Sequence, residues 1–308
     1  MSATEYLRVS DLHAFYGESH VLHGMDFMVR RGECISLLGR NGAGRTTTLR
    51  AILGLTGRRT GSVMLNGREV IKLPSHRIAQ LGVGYCPEER GIYASLSCEE
   101  NLLLPPQVGS GGLSLDELYE MFPNLKERRN SQGTRLSGGE QQMLAMARIL
   151  RTGARLLLLD EPTAGVDPKA RREFWEQIHE LAAEGLTFLI TTHYMDEAER
   201  CHRLAYISYG KLLANGTVSD VIQQARLTTW SVSGPHLHQL AVELRQQPAV
   251  QQAVAFGDRL HVNGADPVAL EAALAAFRTS PYVWHRVDTG LEDVFIHLME
   301  QSSDNFAS

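Results

Sequence analysis

Two kinds of apolar pattern alternate along the chain. Cys34–Leu38, Leu156–Asp160 and Thr187–Thr192 are short, nearly unbroken apolar or β-branched runs. That is the pattern of parallel strands covered on both faces. Residues 46–55, 113–127, 139–150 and 171–184 instead carry apolar positions at helical spacing. Short strands are predicted at 6–9 and 20–29, with Arg31-Gly32-Glu33 as the turn after the second. A glycine-rich loop joins the run ending at Leu38 to the helix beginning near Thr46, the strand–loop–helix order of an α/β phosphate-binding unit. Residues 90–152, opened by Pro105-Pro106 and Gly109-Ser110-Gly111-Gly112, read as a helical subdomain inserted into that core. Beyond residue 228 strands are predicted at 230–233, 250–256, 259–262 and 282–287, with helices at 237–247 and 267–278. That order, β-α-β-β-α-β, is the ferredoxin-like arrangement. A last helix spans Leu291–Gln301, and the terminal SSDNFAS reads as a frayed end. The expected division is 1–228 and 229–308.

Composition narrows the function without naming it. A chain of 308 residues is long enough for about two domains. With 43% hydrophobic and 21% charged residues it can build a globular core. A net charge of −5 argues against a dedicated nucleic-acid binder. No apolar run approaches the roughly 18 residues of a membrane helix, and no basic-then-apolar leader opens the chain. Cys34, Cys86, Cys98 and Cys201 are scattered without CxxC spacing, which fits a reducing compartment better than a disulfide scaffold or zinc cluster.

Three strings carry candidate chemistry. The first is Gly39-Arg40-Asn41-Gly42-Ala43-Gly44-Arg45-Thr46-Thr47. It fits the phosphate-loop pattern G-x-x-x-x-G-K-[ST], with Arg45 where lysine belongs. Glycines there let backbone N–H groups converge on phosphate oxygens, and the helix adds the positive end of its dipole. The Thr46 hydroxyl would face Mg²⁺. The second is Ser137-Gly138-Gly139-Glu140-Gln141-Gln142 ahead of a helix, where a hydroxyl and glycine amides suit an anion. The third is Asp160-Glu161 closing an apolar strand, which puts two carboxylates at the carboxyl edge of the sheet.

The second string resembles the signature of the ATP-binding-cassette (ABC) ATPases, and residues 6–225 carry the other motifs of that family in order. The resemblance implies an α/β P-loop NTPase of the ABC type with ATP and Mg²⁺ as ligands. Asp160 would then hold Mg²⁺ through water, and Glu161 would be the general base. His193 resembles the switch histidine at the γ-phosphate, and Asp167 the aspartate that meets the opposite subunit. Tyr16 would stack on adenine, although Phe15 is adjacent. Ser137, Gly138, Gly139 and Glu140 would serve the opposite subunit's ATP. Glu88 stands at the Q-loop position, where glutamate replaces glutamine; it could face Mg²⁺ and the lytic water but cannot donate a hydrogen bond when ionised. The implied assembly is two cassettes with membrane permease subunits on separate chains, on the cytoplasmic face of the membrane.

Up to about residue 165, wording such as LLGRNGAGRTTTLRAILGLTG resembles ATPases of branched-chain amino-acid importers. AGVDPKARREFW, TTHYMDEAERC and LEDVFIHLM resemble ATPases of drug or polysaccharide-type exporters. Because the importer-like part includes the surface that family members present to the permease, the expectation leans to an importer-type partner. The alternatives are an exporter ATPase, a soluble ABC protein and a weakly hydrolysing nucleotide-binding partner. A DNA-repair member would need a long coiled coil between phosphate loop and signature, and that interval here is short and without heptads.

Overall fold

The computed structural model describes residues 4–301, so the terminal SSDNFAS lies outside the described residues. The chain divides into two compact units, Met1–Ala214 and Asn215–Ser308. The boundary falls earlier than residue 228 because the helix Val218–Ala225 packs on the helix Leu291–Gln301 within the second unit.

Two sheets build the first unit. One has four strands, β1 (Glu5–Tyr16), β2 (Ser19–Arg30), β4 (Arg58–Leu65) and β5 (Arg68–Glu69), in the order β2-β1-β4-β5 with antiparallel pairing. Their inward side chains, among them Leu7, Leu12, Leu22 and Val63, share one core with Ile35, Leu158 and Leu49 of the helix Arg45–Ile52. The other sheet holds β3 (Cys34–Leu38), β6 (Val83–Cys86), β7 (Leu156–Asp160), β8 (Thr187–Thr192), β9 (Arg203–Ser208) and β10 (Lys211–Gly216), whose last two residues lie past the unit boundary, ordered β10-β9-β3-β8-β7-β6. From β9 to β6 neighbouring strands pair in parallel. Every residue of β3, β7 and β8 is buried, as their unbroken apolar runs require.

The register decides where the chemistry goes. Leu38 pairs with Thr192, Asp160 with Thr191, and Cys86 with Leu159. The segments that follow β3, β7, β8 and β6 therefore leave the same sheet edge side by side, at the carboxyl ends where open α/β sheets bind ligands.

The helical segment at 90–152 contains helices Cys98–Leu103, Leu115–Met121, Pro123–Glu127 and Gly138–Arg151. The single helix expected over 113–127 is broken because Pro123 cannot continue it and instead opens the next one. Ser97, Ser114 and Ser137 each close a capping box with the glutamate three residues on. The helix Pro168–Ala183 starts on proline with Asp167 as its N-cap. It buries Trp175, 1% exposed, in the second core of this unit. Trp175→Ala is expected to destabilise the unit by about 3–5 kcal/mol. Denaturant unfolding measures this, and a loss below about 1 kcal/mol, the level of a typical average substitution, contradicts the packing role.

The second unit carries the ferredoxin-like order expected from the sequence. Strands β11 (Thr228–Ser233), β12 (Gln252–Phe256), β13 (Arg259–Gly264) and β14 (Val283–Val287) form one antiparallel sheet ordered β12-β13-β11-β14. Helices Leu237–Leu244 and Pro267–Leu274 cover one face, burying Leu240, Leu244, Leu270 and Leu274 against Val232, Leu260 and Val262.

Candidate functional site

The loop after β3 turns through Gly42 and Gly44, both in the left-handed region at φ 80° and 108°. Gly44 is the N-cap of the helix Arg45–Ile52, and no side chain caps that end. The first-turn N–H groups are left to face an anion. Gly39 is needed for close approach, since a Cβ there would meet the Ile207 carbonyl oxygen at 2.4 Å.

A cavity of about 480 Å³ opens over this helix end. Asn41, Gly42, Gly44, Arg45, Thr46 and Thr47 line it from the loop, and Tyr16, Glu88, Glu161 and His193 from the other segments. Gly39, Arg40 and Ala43 stand off its wall: Gly39 lies close to the Ile207 carbonyl, Ala43 is buried in the core with Leu22 and Leu37, and Arg40 is exposed. Tyr16, not Phe15, reaches the cavity, because the Phe15 ring is sandwiched between Arg58 at 3.9 Å and the stacked His20 ring at 4.2 Å.

Asp160 is 1% exposed and fully engaged. Its Oδ1 accepts from Thr46 Oγ1 at 3.0 Å and Thr191 Oγ1 at 2.7 Å, and its Oδ2 accepts from the Tyr85 hydroxyl at 3.3 Å. Burial and the neighbouring Asp160 carboxylate push the Tyr85 phenol up to about 12, so it remains a donor. Thr191 and Tyr85 were not singled out as site residues from sequence.

Glu161 sits at φ 47°, a conformation a non-glycine residue keeps only where its surroundings fix it. Its backbone N–H donates to Thr191 Oγ1 at 2.9 Å. One carboxylate oxygen pairs with Arg45 Nη1, and the other lies 2.8 Å from His193 Nδ1. Arg45 Nη2 also donates to Asn41 Oδ1 at 3.1 Å. Arg45 and Glu161 are both buried, so the pair is shielded from solvent screening. Desolvation raises the Glu161 carboxyl above the usual glutamate range, opposed by Arg45 and His193 and assisted by Asp160. A carboxylate acting as base must be ionised. With Glu161 as the base that the resemblance implies, turnover is expected to rise with pH through an acid limb displaced upward from an ordinary glutamate. A kcat–pH profile checks this, and a limb at or below the ordinary range contradicts it.

Ser137, Gly139, Glu140 and Asp167 line a different cavity of about 290 Å³ with Lys169. Ser137 caps its own helix: its Oγ accepts from Glu140 N at 3.2 Å, while its N–H donates to Glu140 Oε2 at 2.7 Å. Gly138 faces the Gly165 carbonyl, with a built Cβ 3.1 Å from that oxygen, and a Cβ on Gly139 would stand 2.8 Å from the Ala170 side chain. Asp167 accepts from the N–H groups of Lys169 and Ala170, both at 3.1 Å, so within the chain it is a helix cap. The chain thus brings the phosphate-loop and strand-end residues together, and the signature residues together, in two separate places.

Comparison with known proteins gives a consistent picture. The family model described as ABC transporter matches residues 22–164. The chain is similar to the Nod factor export ATP-binding protein I of Paraburkholderia xenovorans (strain LB400), 36% identical over 291 residues that cover 92% of this chain and 93% of the relative. A solved ATP-binding subunit of an ABC transporter is 32% identical, with a TM-score of 0.62 over 71% of this chain and 92% of its own. A dimeric bacterial ABC transporter cassette matches in fold, with a TM-score of 0.60 at 23% identity over 68% of this chain and 98% of its own.

Proposed function

The chain belongs to the ABC transporter family as an ATPase, and on that premise we propose that it binds and hydrolyses ATP to drive a permease carried on separate chains. The observation that carries this is the single cavity where an uncapped helix N-terminus, Arg45, Glu161 and His193 meet at the carboxyl edge of the parallel sheet. The helix end and Arg45 hold phosphate oxygens, and Tyr16 offers a ring for the adenine. Glu161 takes the proton of the attacking water, with His193 orienting its second oxygen. Phosphoryl transfer depends on positioning and charge more than on covalent help, which suits a site made of fixed donors around one carboxylate.

Thr46 Oγ1 and Asp160 Oδ1, already 3.0 Å apart, are oxygen donors of the kind a hard cation takes, so this corner fits Mg²⁺. Bound there, Mg²⁺ would supply charge stabilisation to the transferring phosphoryl group. Glu88 is exposed on the cavity wall, within the reach of solvent and nucleotide.

Separation of the signature cavity from the phosphate cavity supports a two-cassette unit, in which each Ser137–Glu140 segment and Asp167 serve a nucleotide on the other copy. The solved dimeric cassette of the same fold is in keeping with this. Among the described residues no helix is long and apolar enough to cross a membrane, so the permease is a separate partner in this reading. A groove of about 260 Å³ between the turn after β6 and the helix Gly138–Arg151, floored by Cys86, Pro105, Pro106 and Ile149, is the docking place we assign to it. Exposed Tyr93, Leu103 and Leu104 extend the apolar surface of the same subdomain. The chain would then work on the cytoplasmic face of the membrane.

The importer-type, amino-acid reading of the sequence finds no support in the full-length relatives, which are named for export. A match over 92% of the chain necessarily extends into the C-terminal unit, whereas the solved ATP-binding subunit covers 71%. An export permease is therefore the partner we propose. Hydrolysis by the purified chain is expected to need Mg²⁺ and to stop on chelation. A chain that neither binds nor hydrolyses ATP at millimolar nucleotide contradicts the proposal.

A further inference from the structure

The sequence assigns Arg90 no role, yet three parts of the machinery meet on it. The turn after β6 closes with Arg90 N–H donating to the Pro87 carbonyl at 2.8 Å, which places Glu88 inside that turn and on the cavity wall. Arg90 itself is held at φ 63°, in the left-handed region that disfavours a branched or long side chain. Its guanidinium leaves the turn in two directions. Nη1 donates to Gln141 Oε1 at 2.8 Å, in the first turn of the helix Gly138–Arg151. Nη2 donates to the Ala164 carbonyl at 3.2 Å.

Both anchors lead onward. Ala164 lines the phosphate cavity, and its N–H donates to the Glu161 carbonyl at 3.0 Å, so it belongs to the turn that Glu161 opens. Gln141 is fixed at its far end, where Nε2 donates to the carbonyls of Gly133 and Leu136, both at 3.1 Å, immediately ahead of Ser137. The glycines at 138 and 165 flank the guanidinium, and a Cβ on either would come within 3.5 and 3.9 Å of Nη2. A planar fork with fixed donors can span two acceptors in this way, where a single ammonium cannot hold both with the same geometry.

We propose that Arg90 is a positioning residue for ATP hydrolysis: it ties the Glu88 turn and the Glu161 turn to Gln141, and so sets where Ser137 stands when it meets a second copy's nucleotide. The inference rests on the ATPase reading above and adds a residue to it. Arg90 touches no nucleotide in this scheme. Its loss separates binding, which the phosphate loop and Tyr16 perform within one chain, from closure and turnover, which need the signature in place.

The test uses the full chain as Arg90→Gly, Arg90→Lys and wild type, each also combined with Glu161→Gln. Arg90→Gly removes the fork while relaxing the left-handed backbone, so folding is spared. In Arg90→Gly, kcat is expected to fall about ten- to a hundredfold, the scale of a misplacement near 1 Å. Affinity for a fluorescent ATP analogue stays within about twofold, and the ATP-induced dimer of the Glu161→Gln background weakens, since binding and transition-state terms separate in this way. Arg90→Lys, with one charge and no fork, falls between the two. An Arg90→Gly protein that turns over and dimerises like wild type overturns the inference alone, as does one whose kcat, nucleotide affinity and melting temperature fall together. A wild-type chain that hydrolyses no ATP overturns the ATPase reading and the inference with it.

Discussion

Glu161→Gln should lower ATP turnover by about 10²–10⁴-fold, the range associated with removing a positioned general base. Nucleotide binding should survive, because in the proposed function the phosphate contacts fall to the loop backbone, the helix end and Arg45. The amide keeps the shape of the carboxyl and still faces Arg45 and His193, but it cannot accept the proton of the attacking water. With hydrolysis blocked, the nucleotide-bound form has no exit by chemistry and should accumulate as a dimer. Size-exclusion chromatography with and without ATP reads this directly. A variant that turns over like wild type removes Glu161 from its assigned role, however well placed the residue is between Arg45 and His193.

Arg45→Ala should have an effect of similar size on a different quantity. Arg45 holds the cationic position of the phosphate loop and pairs with Glu161 in a site where both side chains are buried. Removing one partner of a buried pair leaves the other charge uncompensated and is destabilising by about 3–5 kcal/mol. The direction for Glu161 follows: Arg45 is its largest lowering influence, so without it the carboxyl rises further. At a given pH less of the base is then ionised. Three losses are expected together: weaker ATP binding, an acid limb of the pH–rate profile moved to higher pH, and lower stability. Arg45→Lys separates the charge from the fork. A lysine can reach between phosphates as a point charge. If the arginine's hold on Glu161 slows hydrolysis, Arg45→Lys raises kcat with little change in ATP affinity. Equal or lower kcat shows arginine to be a working substitute and removes the weak-hydrolysis reading. Steady-state kinetics, nucleotide binding and denaturant unfolding of the three proteins distinguish these outcomes.

Much of this was legible in the sequence because it rests on contiguous patterns. The runs at Cys34–Leu38, Leu156–Asp160 and Thr187–Thr192 appear as β3, β7 and β8, each buried throughout. The motif residues at their ends converge because parallel strands in register must deliver their following segments to one edge. The strand order of the C-terminal unit likewise agrees with its βαββαβ order. What was not legible depends on long-range geometry. Strand β1 runs to twelve residues where only 6–9 is expected, because bulges let its pairing with β2 continue across irregular positions, while β2 extends the expected 20–29 by one residue at each end. Strands β4 and β6 carry apolar patterning too weak to predict them.

At the site, the split into two cavities follows from tertiary distance, which no spacing rule reports. Tyr85 and Thr191 became visible only through their bonds to Asp160, and Arg90 only through bonds that cross 51 and 74 residues of chain. On transport direction, local wording and whole-chain similarity part company. Local wording around the phosphate loop resembles importer ATPases, yet relatives matched along nearly the whole chain carry export names.

The motor reading is tested most directly by affinity purification of the full chain under mild detergent, followed by identification of the membrane protein that comes with it. The expected result is a multi-span permease of the export type on a separate chain, whose presence stimulates Mg²⁺-dependent ATP hydrolysis by this subunit. Recovery of an import-type permease would contradict the export partner. Recovery of no membrane protein, with ATP turnover unchanged by any, would contradict the claim that this chain drives transport.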